Sequence, residues 1–384
     1  MFAERYRNRL LSQKQAGLYR RPPEVAGKDG KYLFFEGRKV LNFASNDYLG
    51  LSTSDELRRL VSENFRRYGA SSSSSRLVSG NYAVINRAER AYADFFGYEE
   101  ALFFPSGYQA NLGVLSTLFE KGDMIIFDKH IHASSVKGMV LSGAEFRGYN
   151  HNSMAHLKRR LEKRKPACAA VLTESLFSMD GDFLDVRGFE SLKREYGFFS
   201  IVDEAHAFGA LGDKGRGLGG GVADVAVGTF GKAFGLFGAF VLLPGALKEY
   251  LFNFSSPLIY TTTLPEAHAA SALDLLEIIG RCDDGRENLR DVSRLMREGL
   301  RREGFHVTGD AHIIALTIGD ENKAAEVSKG LLGKDIFVLP ARYPTVPIGK
   351  AILRISMTAL HTEEDVNCFI DGVKKIYGKQ NDVH

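Results

Sequence analysis

Between residue 45 and about residue 265 the chain alternates short apolar runs with amphipathic stretches. The runs MIIFD (124–128), CAAVLTE (168–174), FFSIVDE (198–204), VAVGTF (225–230) and GAFVLL (238–243) are brief and rich in branched or aromatic residues. That is the pattern of buried strands. Helical periodicity fills the gaps. TSDELRRLVSENFRRYG puts Leu57, Leu60, Val61 and Phe65 on one face and offers Gly69 as a stop. SMAHLKRRLEKR (153–164) opens on Ser153 as an N-cap, and DVRGFESLKREYG (185–197) ends at Gly197. Such alternation predicts a mostly parallel sheet covered by helices.

After about residue 275 the pattern changes. A charged helical stretch, DDGRENLRDVSRLMREGLRREG, precedes the strand HIIALTIG, the helix NKAAEVSKGLLG and the strands FVLP and AILRISMT. A last helix starts near Thr362. Near the N-terminus, KYLFFEGRKVLNF reads as a hairpin turning at Glu36-Gly37. The expected division is an N-terminal segment, 1–44, that packs with the small domain, a large domain, 45–275, and a C-terminal α+β domain, 276–384.

Composition narrows the class. At 384 residues, 44% hydrophobic and 25% charged, the chain is an ordinary globular protein too long for one simple core. A formal charge of +3 gives no support to a nucleic-acid binder. Cys168, Cys282 and Cys368 are few and unpatterned, which suits a reducing compartment and argues against structural zinc; no metal is expected. The basic start MFAERYRNRLLSQKQAGLYRR has no apolar core of a secretory signal and reads as an amphipathic surface helix. LFGAFVLLPGAL (236–247) is too short to span a bilayer. The expected location is the cytoplasm.

Ligands of open α/β sheets bind beyond the carboxyl ends of the strands. Here successive runs end in Asp128 followed by KHIHAS, in TESLFSMDGD, in DEAH and in GTFGK. Taken singly, each polar group has a bland reading as a salt-bridged acid or a satisfied core histidine. Four in succession point to a site. Lys232 is flanked by Gly231, Phe234 and Gly235, with little carboxylate company nearby in sequence. It reads either as a lysine snorkelling to a helix end or as a desolvated amine able to form a Schiff base. Asp203, 29 residues earlier, shifts the balance. A lysine together with an acid for a pyridinium nitrogen is what pyridoxal 5'-phosphate (PLP) requires. PSGYQAN (105–111) follows an apolar run and opens a helix, so Ser106, Gly107 and Tyr108 offer donors to a phosphate, with Thr229 as a second ligand. The glycines of GDKGRGLGGG (212–221) lack the GxxxxGK[ST] pattern and read as a flexible loop.

These residues, together with NFASNDYLGLS (42–52), SGYQANLGVLS (106–116), HIHAS (130–134), VDEAH (202–206), GTFGKAFG (228–235) and YPTVPIGKAILRISMTALHT (343–362), resemble the α-oxoamine synthases over nearly the whole chain. That family condenses an amino acid with an acyl thioester. The resemblance implies the α/β, fold type I PLP-transferase architecture (aspartate aminotransferase-like), with a mostly parallel central sheet and a smaller C-terminal α+β domain. It implies that Lys232 binds the cofactor and moves protons, that Asp203 holds the pyridinium nitrogen, and that His132 stacks on the ring. His206 and Ser178 would lie at the phenolic oxygen, and Ser106, Gly107, Tyr108 and Thr229 would hold the cofactor. Arg354 would pair with the amino-acid carboxylate, with Arg20, Asn46, Ser75 and Thr345 on the substrate side. Thr262 and Thr263 would reach the phosphate of a neighbouring subunit, making a homodimer with shared active sites. Within the family, PTVP and FSMDGD are closest to the member that joins L-alanine to a pimeloyl thioester, from CoA or a carrier protein, on the route to biotin. Other members, using glycine or serine or making a signalling aminoketone, and a non-catalytic partner of the same fold are the alternatives. One departure is the serine run 71–75, where relatives carry glycines; Ser75 hints at alanine or serine as the amino acid.

Overall fold

The computed structural model describes residues 2–16, 18–163 and 169–378; Cys168, at the head of one apolar run, lies outside them. The described residues form two compact units. The smaller comprises those of Met1–Ser45, Met179–Asp182 and Glu287–His384, and the larger those of Asn46–Ser178 and Phe183–Arg286. Among the described residues no helix is long and apolar enough to cross a membrane.

The larger unit is built on a seven-stranded sheet. Its strands are β1 (Glu100–Phe104), β2 (Met124–Asp128), β3 (Glu145–Tyr149), β4 (Ala169–Glu174), β5 (Phe199–Asp203), β6 (Val225–Thr229) and β7 (Ala239–Leu243). They lie side by side as β1-β7-β6-β5-β4-β2-β3, all parallel except β7, which runs antiparallel to both β1 and β6. Five of the seven are the apolar runs of the sequence. β3 escaped notice because EFRGY is largely exposed on an edge of the sheet, so burial leaves no apolar signature there.

Side chains alternate between the two faces, as strand geometry requires. Ile125, Leu172, Ile201 and Val227 pack against Ala110 and Val114 on one side. Ile126 and Val171 pack against Leu157 and Phe189 on the other. The helices of this unit include α1 (Asp55–Tyr68), α2 (Ala83–Phe96), α3 (Gly107–Leu118), α4 (Ala133–Ser142), α5 (Met154–Glu162) and α6 (Val186–Tyr196). Ser153 caps α5 by accepting from the His156 N–H, and Gly197 ends α6 at φ 60°. On α1, Leu57 is buried, whereas Phe65 of the same predicted face stays 37% exposed.

The smaller unit holds the N-terminal hairpin of Tyr32–Phe35 and Arg38–Asn42. Glu36 and Gly37 both take positive φ, 48° and 75°, between the paired Phe35 and Arg38, as a two-residue turn matched to strand twist demands. The FVLP stretch serves two sheets. Ile336–Phe337 runs parallel to the hairpin's second strand, and Leu339–Ala341 pairs antiparallel with Ala351–Ser356. A Cβ at Gly37 would meet nothing within 4 Å, so Gly37→Ala tests backbone strain alone. It is expected to cost about 1 kcal/mol in a denaturation curve. An unchanged midpoint would contradict the turn assignment.

Candidate active site

The carboxyl ends of β2, β4, β5 and β6 lie at one edge of the sheet, and beside them opens a cavity of about 190 Å³. Gly107, Tyr108, His132, Ser178, Asp203, His206, Thr229 and Lys232 line it, joined by Asn111 and Glu174.

Each side chain is set by its own local structure. Lys232 sits in the turn between β6 and β7. The rings on either side of it, Phe230 and Phe234, are fully buried among Tyr92, Phe103 and Phe240 at centroid distances of 5.0–6.2 Å. Gly235, at φ 66°, closes the turn where a Cβ would strike the Ser52 nitrogen. With its neighbours anchored, the amine projects to within 2.8 Å of His206 Nε2. His206 Nδ1 in turn lies 2.6 Å from the Tyr48 hydroxyl, which also reaches Asn46 Oδ1 at 3.0 Å.

Asp203 ends β5. Its Oδ1 accepts from the Ala205 N–H at 2.9 Å and its Oδ2 from Asn111 Nδ2 at 2.8 Å. His132 is the N-cap of α4, accepting from the Ser134 N–H at 3.3 Å. Burial, only partly opposed by the Asp203 charge, holds its imidazole below the usual value, so the ring is neutral near pH 7. Ser106 caps α3 by accepting from Gln109, which leaves the Gly107 and Tyr108 amides at the head of the helix. Thr229 lies opposite, with its Oγ1 donating to the Gly238 carbonyl at 3.0 Å.

The remaining candidates lie elsewhere. Ser75, Thr262 and Thr263 belong to the larger unit but do not line this cavity. The serine run and the threonine segment are tied to each other: Ser72 Oγ donates to the Thr263 carbonyl at 2.8 Å, and the Thr263 N–H to the Ser74 carbonyl at 2.9 Å. Arg20, Thr345 and Arg354 belong to the smaller unit. There Arg20 Nη2 reaches Thr345 Oγ1 at 3.5 Å, and Arg354 donates to Ser356 Oγ at 2.6 Å.

Known proteins share this layout. Residues 38–373 match the family model described as aminotransferase class I and II. The serine palmitoyltransferase of Sphingomonas wittichii superposes with TM-score 0.92 at 30% identity, covering 98% of each chain. That of S. paucimobilis, solved with a bound PLP–myriocin aldimine, gives TM-score 0.91 at 28% identity over 98% of this chain and 97% of its own. In sequence, an 8-amino-7-oxononanoate synthase from Pseudomonas putida is 38% identical over 376 residues, 96% of either chain. The chain belongs to the α-oxoamine synthases.

Two cavity groups of this α-oxoamine synthase, and the tyrosine behind His206, carry no weight in the sequence reading. Asn111 was findable: it lies one turn after Gly107 on α3, hence on the face that opens the helix toward the cavity. Glu174 ends a run buried at every position, a place where an acid needs a reason. Tyr48 left no such signal, because its contact with His206 spans 158 positions.

The glycine-rich stretch 212–221 corrects an expectation. Rather than a flexible loop, it is folded over the buried Glu204. The amides of Leu218 and Gly219 donate to the carboxyl, which also accepts from Ser175 Oγ. A Cβ at Gly217 or Gly219 would fall within 2.7 Å of the Glu204 oxygens, so glycine here serves close approach. Burial pushes the Glu204 carboxyl up to about 7.

Proposed function

We propose that the protein condenses L-alanine with a pimeloyl thioester, with loss of carbon dioxide, to give an α-aminoketone, as an 8-amino-7-oxononanoate synthase does, using PLP. The observation that carries this reading is one cavity containing a primary amine, a carboxylate gripped by Asn111 and a neutral imidazole at a helix head. The donor set fits PLP. The α3 amides and Thr229 suit a phosphate dianion, Asp203 suits a protonated ring nitrogen, His132 suits a flat ring face, and Lys232 suits an aldehyde carbon.

When bound, PLP supplies an electron sink for the α-carbon of an amino acid. Lys232 would hold it covalently and, once displaced by the amino group of the substrate, would be the free amine that removes the α-proton. Asp203 would keep a proton on the ring nitrogen through a charge-assisted hydrogen bond of about 1.5–3 kcal/mol. His206, oriented at Nδ1 by the Tyr48 hydroxyl, presents Nε2 to the Lys232 amine and, with Ser178, would hold the phenolic oxygen. Arg354 binds the substrate carboxylate through its guanidinium fork, with Arg20, Asn46, Ser75 and Thr345 toward the substrates. Two copies act together in the cytoplasm, each lending Thr262 and Thr263 to the other's phosphate. The link between Ser72 and Thr263 then makes the serine run part of the same shared wall.

The choice of L-alanine and a pimeloyl group leans on the Pseudomonas putida relative. Backbone likeness to the serine palmitoyltransferases favours serine with a long acyl chain as a second reading. The test is mass analysis of products from glycine, L-alanine and L-serine, each paired with pimeloyl, palmitoyl and acetyl thioesters. The alanine–pimeloyl pair is expected to dominate by at least tenfold. A dominant serine–palmitoyl product would replace this reading with the second, and no product from any pair would remove both.

A further inference from the structure

Two acids end adjoining parallel strands and share the cavity, with Glu174 in register with Asp203. Their surroundings differ. Asp203 has donors at both oxygens, Asn111 Nδ2 and the Ala205 N–H. Glu174, 2% exposed, accepts from the Ser178 N–H at 3.2 Å through Oε2, while its Oε1 is shielded from water and meets no donor at hydrogen-bonding geometry, the His132 backbone amide acting on the carboxyl only electrostatically. An ionised carboxylate at that place would carry two penalties: a buried oxygen left unpaired and a like charge on the next strand. A neutral carboxylic acid escapes both and gains an O–H in search of an acceptor.

We propose that Glu174 is held as a neutral carboxylic acid whose O–H donates to an oxygen of the ligand bound in this cavity, leaving Asp203 as the ionised member of the pair. Apolar sites do keep single carboxyls protonated for this use in other enzymes. The groups facing Glu174 come from several elements: Asp203 on β5, Lys232 after β6, and the His132 backbone at the head of α4. Burial first, then the Asp203 charge, pushes its carboxyl well above the usual range, and the Lys232 ammonium and the backbone amides only moderate this. By linkage, a carboxyl raised in this way keeps its proton at pH values where an ordinary carboxylate has already lost it. The division of labour is useful at a PLP site. Two anions there would compete for one ring proton, whereas one anion and one donor can hold opposite demands at the same time. Glu174 is thus a ligand-holding residue for which the reaction scheme above has no other use.

The identity of the ligand rests on the PLP reading; the protonation state of Glu174 does not. The test therefore has two arms. Infrared spectra of the purified protein at about pH 8.5, where Glu204 at about 7 is ionised, should show a protonated-carboxyl band. It should vanish in Glu174→Gln and persist in Asp203→Asn. Isotope-labelled glutamate should shift the same band in the unsubstituted chain, which keeps the test open if the variant folds poorly. In the second arm, Glu174→Gln, which keeps an N–H donor, should bind PLP within about threefold of the parent, and Glu174→Ala should bind about tenfold more weakly. Absence of the band, or its loss in Asp203→Asn instead, would overturn the inference. So would Glu174→Gln moving the pH midpoint of the bound-PLP absorption by about one unit, the signature of a removed anion. A parent protein that binds no PLP while showing the band would instead count against the proposed function.

Discussion

Lys232→Ala is expected to abolish condensation, a loss of about 10⁴-fold or more, because one amine does two jobs. In the proposed mechanism it holds the cofactor and moves the α-proton, and it lies 2.8 Å from His206 Nε2. The variant should fold. The turn is fixed by Phe230, Phe234 and Gly235, not by the lysine, and the side chain removed is only partly buried. A thermal midpoint close to the parent's would show that the loss is chemical, and borohydride should no longer fix PLP to the chain. Turnover within tenfold of the parent would remove Lys232 from the mechanism.

Asp203→Asn is expected to lower turnover by about 10²–10³-fold while weakening PLP binding by no more than about tenfold. The substitution conserves shape, so the Ala205 N–H and Asn111 still face a side chain of the same size. What disappears is the charge proposed to keep the ring nitrogen protonated, which would matter more as negative charge develops on the α-carbon than in the resting complex. The split between the two measurements is the diagnostic feature. Equal losses in binding and turnover would make Asp203 a plain anchor, and near-normal turnover would end the electron-sink assignment.

The architecture was legible wherever burial wrote it into the chain. MIIFD, FFSIVDE and GAFVLL are buried along most of their length, and strands covered on both faces cannot hide. Ser153 and Gly197 mark helix ends because capping is a local transaction between a residue and its immediate neighbours. Glu36-Gly37 gave away its hairpin for the same reason. EFRGY did not, since an exposed edge strand needs no apolar residues. The glycines of 212–221 misled, because in one dimension a glycine kept for close packing against Glu204 looks the same as one kept for freedom.

The chemistry divides along the same line. Sequence alone named the candidates for it: a lysine among glycines and aromatics, an acid and a histidine at the end of a buried strand, a serine opening a helix. Residue type and strand-end position are one-dimensional properties, and reactivity of this kind depends on both. Only the tertiary structure decided what each group faces. It set Tyr48 against His206 across 158 positions, gave Asp203 the Asn111 amide across 92, and left Glu174 beside it with one oxygen unpaired. The charge a buried acid carries follows from its neighbours in space, and those are fixed by how the strands order themselves in the sheet.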